Sequence, residues 1–150
     1  MKEHSFGIIP VYKENGQRRF LLVRHREYSI LSKGVGQGGH WAFPKGHAEG
    51  AEEGVQAAVR ELKEETGIEE VDVVSDVSFS EHYTFARANK NISKTVTYFI
   101  GFVHATEVRI QEEEIQDFRW VSYGDALELI TFEEARTVLQ HAQLYLSSIL

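Results

Sequence analysis

Residues 46 to 68, GHAEGAEEGVQAAVRELKEETGI, hold a set of fixed spacings on which the reading of the whole chain turns. At 100° per residue Glu61, Glu64 and Glu65 stand at i, i+3 and i+4, so all three carboxylates project from one face of a helix. Like charges so placed repel, and an isolated helix loses stability from them. A bound cation answers that repulsion, and hard oxygen donors suit Mg²⁺ or Mn²⁺. Val55, Val59 and Leu62 occupy roughly the opposite face and are expected to dock the helix on a core. Thr66-Gly67-Ile68 reads as its C-cap, with glycine where the backbone turns left-handed and an apolar residue covering the last turn. Gly46 opens the preceding loop, where a missing Cβ lets the backbone approach a metal or phosphate. A merely solvated acidic face would not call for the two glycines, Glu52 and Arg60 at set distances.

Every fixed position of GX5EX7REUXEEXGU, with U apolar, is met by Gly46, Glu52, Arg60, Glu61, Leu62, Glu64, Glu65, Gly67 and Ile68, and the segment resembles the Nudix box. The resemblance implies an α/β fold, the Nudix α/β/α sandwich with a mixed β-sheet between helices. It also implies hydrolysis of a nucleoside diphosphate linked to another group, with divalent cations as cofactor. By the same resemblance Glu61, Glu64 and Glu65 are metal ligands, Arg60 orients the cluster and Glu52 supports it from the start of the helix. The backbone carbonyl of Lys45 would complete a metal's shell.

With 150 residues and 42% hydrophobic content, residues 1–150 are expected to form a single domain with a sizeable core. There is no cysteine, which excludes disulfides, thiolate zinc sites and cysteine nucleophiles. The start, MKEHSFGIIPVYKENG, lacks the pattern of a signal peptide, and no run of about 18 apolar residues occurs, so a cytoplasmic protein without membrane contact is the expectation. A net charge of −7 argues against a long nucleic acid held on a basic surface. An anionic small-molecule nucleotide fits so acidic a chain only through divalent metal, which bridges carboxylates to phosphate oxygens. The seven histidines show no HExxH pairing, and no Gly-Lys-Ser or Gly-Lys-Thr opens a helix, so a zinc hydrolase and a P-loop are both disfavoured.

Ser5 to Tyr12 and Arg19 to His25 read as strands joined through Asn15-Gly16, a strong hairpin signal. Gly34 to Gly39 reads as a flexible loop before a short extended segment, His40-Trp41-Ala42-Phe43-Pro44. Val71 to Ala86 and Lys94 to Ala105 read as long strands separated by a polar loop over 87–93, and Phe118 to Val121 as a short one. Two helices follow, Gly124 to Ile130 and Phe132 to Leu146, the second with Phe132, Ala135, Val138, Leu139, Ala142 and Leu146 at core-facing spacing.

Outside the box, His40 to His47, Lys94 to Phe99 and the stretch from Phe118 onward make the chain similar to one branch of the family, the asymmetric diadenosine tetraphosphate hydrolases of the animal and archaeal type. That similarity implies cleavage of diadenosine tetraphosphate to ATP and AMP. It assigns His40, Lys45 and Lys94 to the phosphate chain as donors. Tyr83 and Phe132 match positions where rings sandwich an adenine, with phenylalanine for the more usual tyrosine at the second and Phe85 competing for the first. Glu114, six residues before Trp120, has the spacing of a glutamate that binds metal or acts as base. The chemistry implied is in-line attack of water on one phosphorus, without a covalent intermediate. The alternatives are a hydrolase of another capped diphosphate such as an RNA 5′ end or a nucleotide sugar, a hydrolase of oxidised nucleoside triphosphates, and a non-catalytic nucleotide-binding regulator. The intact Glu61, Glu64 and Glu65 speak against the last.

Overall fold

The computed structural model describes residues 1–29 and 34–149. Alternation of apolar side chains builds the centre of the molecule. In β1 (Lys2–Glu14) Ile8 and Ile9 are both wholly buried, yet they point to opposite sides of the sheet. On the side of Ile8 lie Leu21, Val23, Phe99 and Ile115, covered by Ala58 and Leu62 of α1 (Gly54–Thr66). On the side of Ile9 lie Phe20, Leu22, Tyr98 and Ile100. These are covered by Ala126 of α2 (Tyr123–Leu129) and by Val138, Leu139, Ala142 and Leu146 of α3 (Glu133–Ile149). The result is the expected α/β/α sandwich, and the last helix presents the core stripe read from its spacing at Ala135, Val138, Leu139, Ala142 and Leu146 but not at Phe132, which precedes the helix and is exposed.

Among the described residues the sheet has seven strands, and five of them run in the order β3-β2-β1-β6-β5. β2 (Gln17–Ser29) turns back on β1 through Asn15 and Gly16, whose φ angles of 51° and 79° are those of a tight hairpin turn. β1 then pairs in parallel with β6 (Lys90–Val103), which makes the sheet mixed. Two short strands fork off: β4 (Lys45–His47) pairs with the start of β1, and β7 (Ile115–Val121) pairs with β2.

Two loop expectations are corrected. Gly34 to Gly39 is not a loop but the first part of β3 (Gly34–Ala42), whose backbone pairs with Glu27, Tyr28 and Ser29 at the end of β2. Pairing from another strand fixes a glycine-rich backbone that has little preference of its own. The polar loop over 87–93 shrinks to the turn Ala88-Asn89, with φ of 51° and 63°. β5 (Val71–Arg87) and β6 continue outward on either side of it as one long hairpin. Residues such as Asn91 and Ser93 are polar because this part of the hairpin is exposed, not because it is irregular.

The approach of β4 to β1 depends on Gly7. A Cβ there would lie 2.4 Å from the Pro44 carbonyl oxygen and 2.9 Å from the Lys45 Cβ. The Ile8 amide donates to that same Pro44 oxygen at 3.2 Å. Gly7→Ala is therefore expected to destabilise the fold by about 1–3 kcal/mol, read as a lowered urea midpoint at unchanged slope. A midpoint equal to wild type would show that β4 can shift freely.

Candidate active site

The acidic helix begins and ends where local chemistry allows. The Glu53 amide donates to the Gln56 side chain at 2.9 Å, as in a capping box. Gly67, at φ 77°, closes the helix by donating its amide to the Lys63 carbonyl at 2.8 Å. Between these caps Arg60 gathers the surrounding anions. Its Nε donates to Glu52 Oε2 at 2.8 Å, and its Nη2 reaches Glu52 Oε1 at 3.1 Å and the His47 carbonyl at 2.8 Å. Its Nη1 meets Glu64 Oε2 at 2.6 Å and lies 3.6 Å from Glu61 Oε1. These bonds push the Arg60 guanidinium pKa up and hold the Glu52 carboxyl below its ordinary value. Arg60 and Glu52 thus stand where an orienting pair would.

The three box carboxylates fan from solvent into the core. The Glu64 side chain is 42% exposed, that of Glu61 15%, and Glu65 as a residue only 1%. Gly46 makes room for this: a Cβ there would fall 1.4 Å from Glu61 Oε2, so any other residue would displace that carboxylate. Glu65 Oε1 accepts the Lys45 amide proton at 3.3 Å, which ties β4 to the helix. Burial first, and the neighbouring Glu64 charge second, push the Glu61 carboxyl from an ordinary 4.5 up to about 7. Burial and then Glu61 push Glu65 well above its usual range. Glu114 sits in the turn before β7, its amide bonded to the Gln111 carbonyl at 3.0 Å, while the Gln111 amide donates to the Glu65 carbonyl at 3.2 Å. Its charge is felt by both Glu61 and Glu65.

Crowded oxygen donors with excess negative charge are a donor set that suits a hard divalent cation. Among the described residues no three acidic or histidine side chains are already closed around one point. Arg60 holds Glu64 by a 2.6 Å bond and lies 3.6 Å from Glu61, so its guanidinium shares the outer part of the cluster.

Beside Lys45 opens a cavity of about 410 Å³ lined by His40, Lys45, Tyr83, Lys94 and Phe132, the five residues assigned to substrate by the sequence. Separate elements deliver them. Tyr83 of β5 pairs directly with Lys94 of β6, and Lys45 comes from β4. Thr131, at the junction of α2 and α3, accepts the Trp41 amide proton through Oγ1 at 2.8 Å and donates its own amide to the Trp41 carbonyl at 3.1 Å. That clasp brings Phe132 to the His40 ring, with centroids 5.3 Å apart, and His40 in turn stacks on His25 at 4.9 Å. Phe132 remains 48% exposed. Burial, reinforced by Lys45, lowers the His40 pKa to about 4, so its imidazole is neutral at pH 7. Burial also lowers Lys45 and Lys94, opposed at Lys45 by Glu65 and Glu81. Phe85 lines the cavity together with Tyr83, their rings 6.0 Å apart, so the two share the wall they were expected to compete for.

Glu81 and Glu134 also line the cavity, and neither was singled out from the sequence. A signal for Glu81 was present: Phe79, Glu81, Tyr83 and Phe85 alternate along β5, so a carboxylate interrupts an aromatic face. A larger surface groove of about 850 Å³, between the end of α1 and residues 104–111, contains Glu64 but none of the residues assigned to substrate.

A family model described as the NUDIX domain matches residues 1–142. The bis(5'-nucleosyl)-tetraphosphatase [asymmetrical] of Rattus norvegicus is 34% identical over 110 residues, covering 73% of this chain and 74% of that protein. Among solved structures, a C. elegans Ap4A hydrolase binary complex superposes with a TM-score of 0.78 at 26% identity, over 98% of this chain and 99% of that one. The NUDIX domain of Shewanella oneidensis NrtR, solved with ADP ribose, shares the fold at a TM-score of 0.71 and 16% identity, over 97% and 89% of the two chains. By its box, its sandwich and these matches the chain belongs to the Nudix hydrolase family.

Proposed function

We propose that residues 1–150 act as one catalytic domain that cleaves diadenosine tetraphosphate, or a related dinucleoside polyphosphate, asymmetrically to ATP and AMP. The observation that carries this reading is the single cavity shared by His40, Lys45, Tyr83, Lys94 and Phe132, joined to the acidic helix through the bond between the Lys45 amide and Glu65. The likeness to the rat tetraphosphatase and to the C. elegans Ap4A hydrolase supports it.

In this reading Glu61, Glu64 and Glu65, with the Lys45 backbone carbonyl and Glu114, would hold Mg²⁺ or Mn²⁺. Such an ion, when bound, lowers the pKa of water and neutralises phosphate charge. Lys45 and Lys94 donate to phosphate oxygens and stabilise the charge that grows on the leaving group. His40, kept neutral, adds a hydrogen bond without a further buried charge. Tyr83 with Phe85 on one side and Phe132 on the other supply stacking surfaces for a base. Glu114 or a box glutamate takes the proton of the attacking water, and Arg60 keeps the carboxylates in place with Glu52 as its anchor.

Incubation of diadenosine tetraphosphate with the protein and Mg²⁺ in ¹⁸O-water is expected to yield equal ATP and AMP, with label in one of them by mass spectrometry. Release of ADP alone would overturn the asymmetric cut. Glu65→Gln is expected to lower kcat by about 10²–10⁴-fold, and undiminished turnover would sink the site assignment.

The raised Glu61 pKa has a signed consequence for the metal-free protein. The stability it contributes is complete below about pH 4.5 and is lost as pH rises through about 7. His25 and His40, whose pKa values are lowered, act in the opposite sense only below their ordinary value of 6.5. Between pH 6.5 and 8.5, the last part of that fall, urea denaturation without metal is therefore expected to show stability dropping by roughly 1 kcal/mol, less so in Glu61→Gln, with Mg²⁺ reversing the drop. Equal pH dependence in the two proteins would rule Glu61 out as its source.

A further inference from the structure

The cavity holds a carboxylate that phosphate binding does not explain. Glu81 is 8% exposed and lines the wall two residues before Tyr83 on the same face of β5. The hydroxyl of the wholly buried Tyr98 donates to its Oε1 at 3.1 Å. Among the described residues this is the one hydrogen bond to that carboxylate, so Oε2 is left for a ligand. Lys45, Lys94 and Glu134 are near enough for their charges to act on it, yet among the described residues no ion pair within 4.0 Å forms to Glu81. It is therefore not simply the tied counter-ion of a lysine.

Desolvating a carboxylate costs free energy unless something donates to it. A phosphate oxygen brings only acceptors and negative charge. The donors on a nucleotide are the exocyclic amine of the base and the ribose hydroxyls, and the aromatic rings beside Glu81 are where that half of the molecule would rest. We infer that Glu81 is a specificity residue whose free oxygen accepts a hydrogen bond from the nucleoside, so that the cavity selects nucleosides carrying a donor at that point. This rests on the nucleotide reading of the cavity given above. Tyr98 contributes by holding Oε1 and thereby aiming Oε2.

The test is equilibrium binding of ATP, ITP and 2′-deoxy-ATP with Mg²⁺, by calorimetry, to wild type and Glu81→Gln. ITP replaces the amine by a carbonyl and 2′-deoxy-ATP lacks one hydroxyl, so the analogue that loses affinity identifies the donor. Wild type is expected to bind ATP about 10- to 100-fold more tightly than one of the two. In Glu81→Gln an ATP-to-ITP ratio should collapse to within about threefold, since an amide can turn either a donor or an acceptor to the ligand, whereas an ATP-to-2′-deoxy-ATP ratio should fall only in part, since the neutral amide oxygen still accepts from a hydroxyl but less strongly than a carboxylate. Tyr98→Phe, which leaves the carboxylate but frees it, should give an intermediate ratio even if the glutamine variant is unstable. Equal affinity of wild type for all three nucleotides, or a ratio unchanged in both variants, would overturn the inference. So would an equal loss for every nucleotide, which would make Glu81 a distant counter-ion. Diadenosine tetraphosphate turnover is scored separately: discrimination in binding without turnover would refute the proposed substrate while leaving Glu81 its role.

Discussion

The meeting of β4 with the acidic helix is the constraint on which the rest of the structure depends. A buried carboxylate is costly, and this chain places Glu65 and most of Glu61 out of water side by side. Two glycines make that possible: Gly7 lets the Pro44–Lys45 backbone settle on β1, and Gly46 yields its Cβ space to the Glu61 carboxylate. The Lys45 amide then gives Glu65 a hydrogen bond, and Arg60 neutralises the outer carboxylates while fastening them to Glu52 and the His47 carbonyl. What remains at the inner end of the cluster is a pair of crowded, desolvated carboxyls, whose pKa values are raised by burial first and by the neighbouring glutamates second. A site so crowded has a physical reason to take up a divalent cation.

The same strand sets the second half of the site. Because Lys45 belongs to β4, its amide faces the acidic helix while its side chain lines the cavity on the other side of the sheet. The cavity's charges are arranged in opposition. Burial depresses Lys45 and Lys94, the second further through Lys45, His40 is held neutral, and Glu81 offsets both lysines. Such a pocket is not a plain anion trap. It has cationic groups suited to phosphate, rings suited to a base and a carboxylate suited to neutral donors, which together describe a nucleotide better than any one of its parts.

Legibility in the sequence followed the range of the interaction. The helix, its glycine cap and the Asn15-Gly16 turn depend on neighbours a few residues away, and each was readable. The core stripe of α3 was readable for the same reason, as was the sandwich that its period and those of the strands imply. Gly34 to Gly39 was not, because that backbone is ordered by hydrogen bonds from β2. The stretch 87–93 was not, because polar residues on an exposed hairpin look like a loop until the partner strand is known. Glu81 escaped notice because a lone glutamate in a strand is ordinarily solvated, and only the covering of its face by α3 makes it internal.

By itself the sequence determined the clustering of carboxylates on the acidic helix, since carboxylates three and four residues apart on one helix share a face whatever surrounds them. It also determined the alternation that makes a sheet with two covered sides. Tertiary structure alone decided which carboxylate is buried, how far each pKa moves and that residues 40, 45, 83, 94 and 132 line one cavity with Glu81 among them. The reason is that desolvation and close approach depend on which surfaces are pressed together. Those surfaces are brought together by strand pairings and helix packing that no local spacing records.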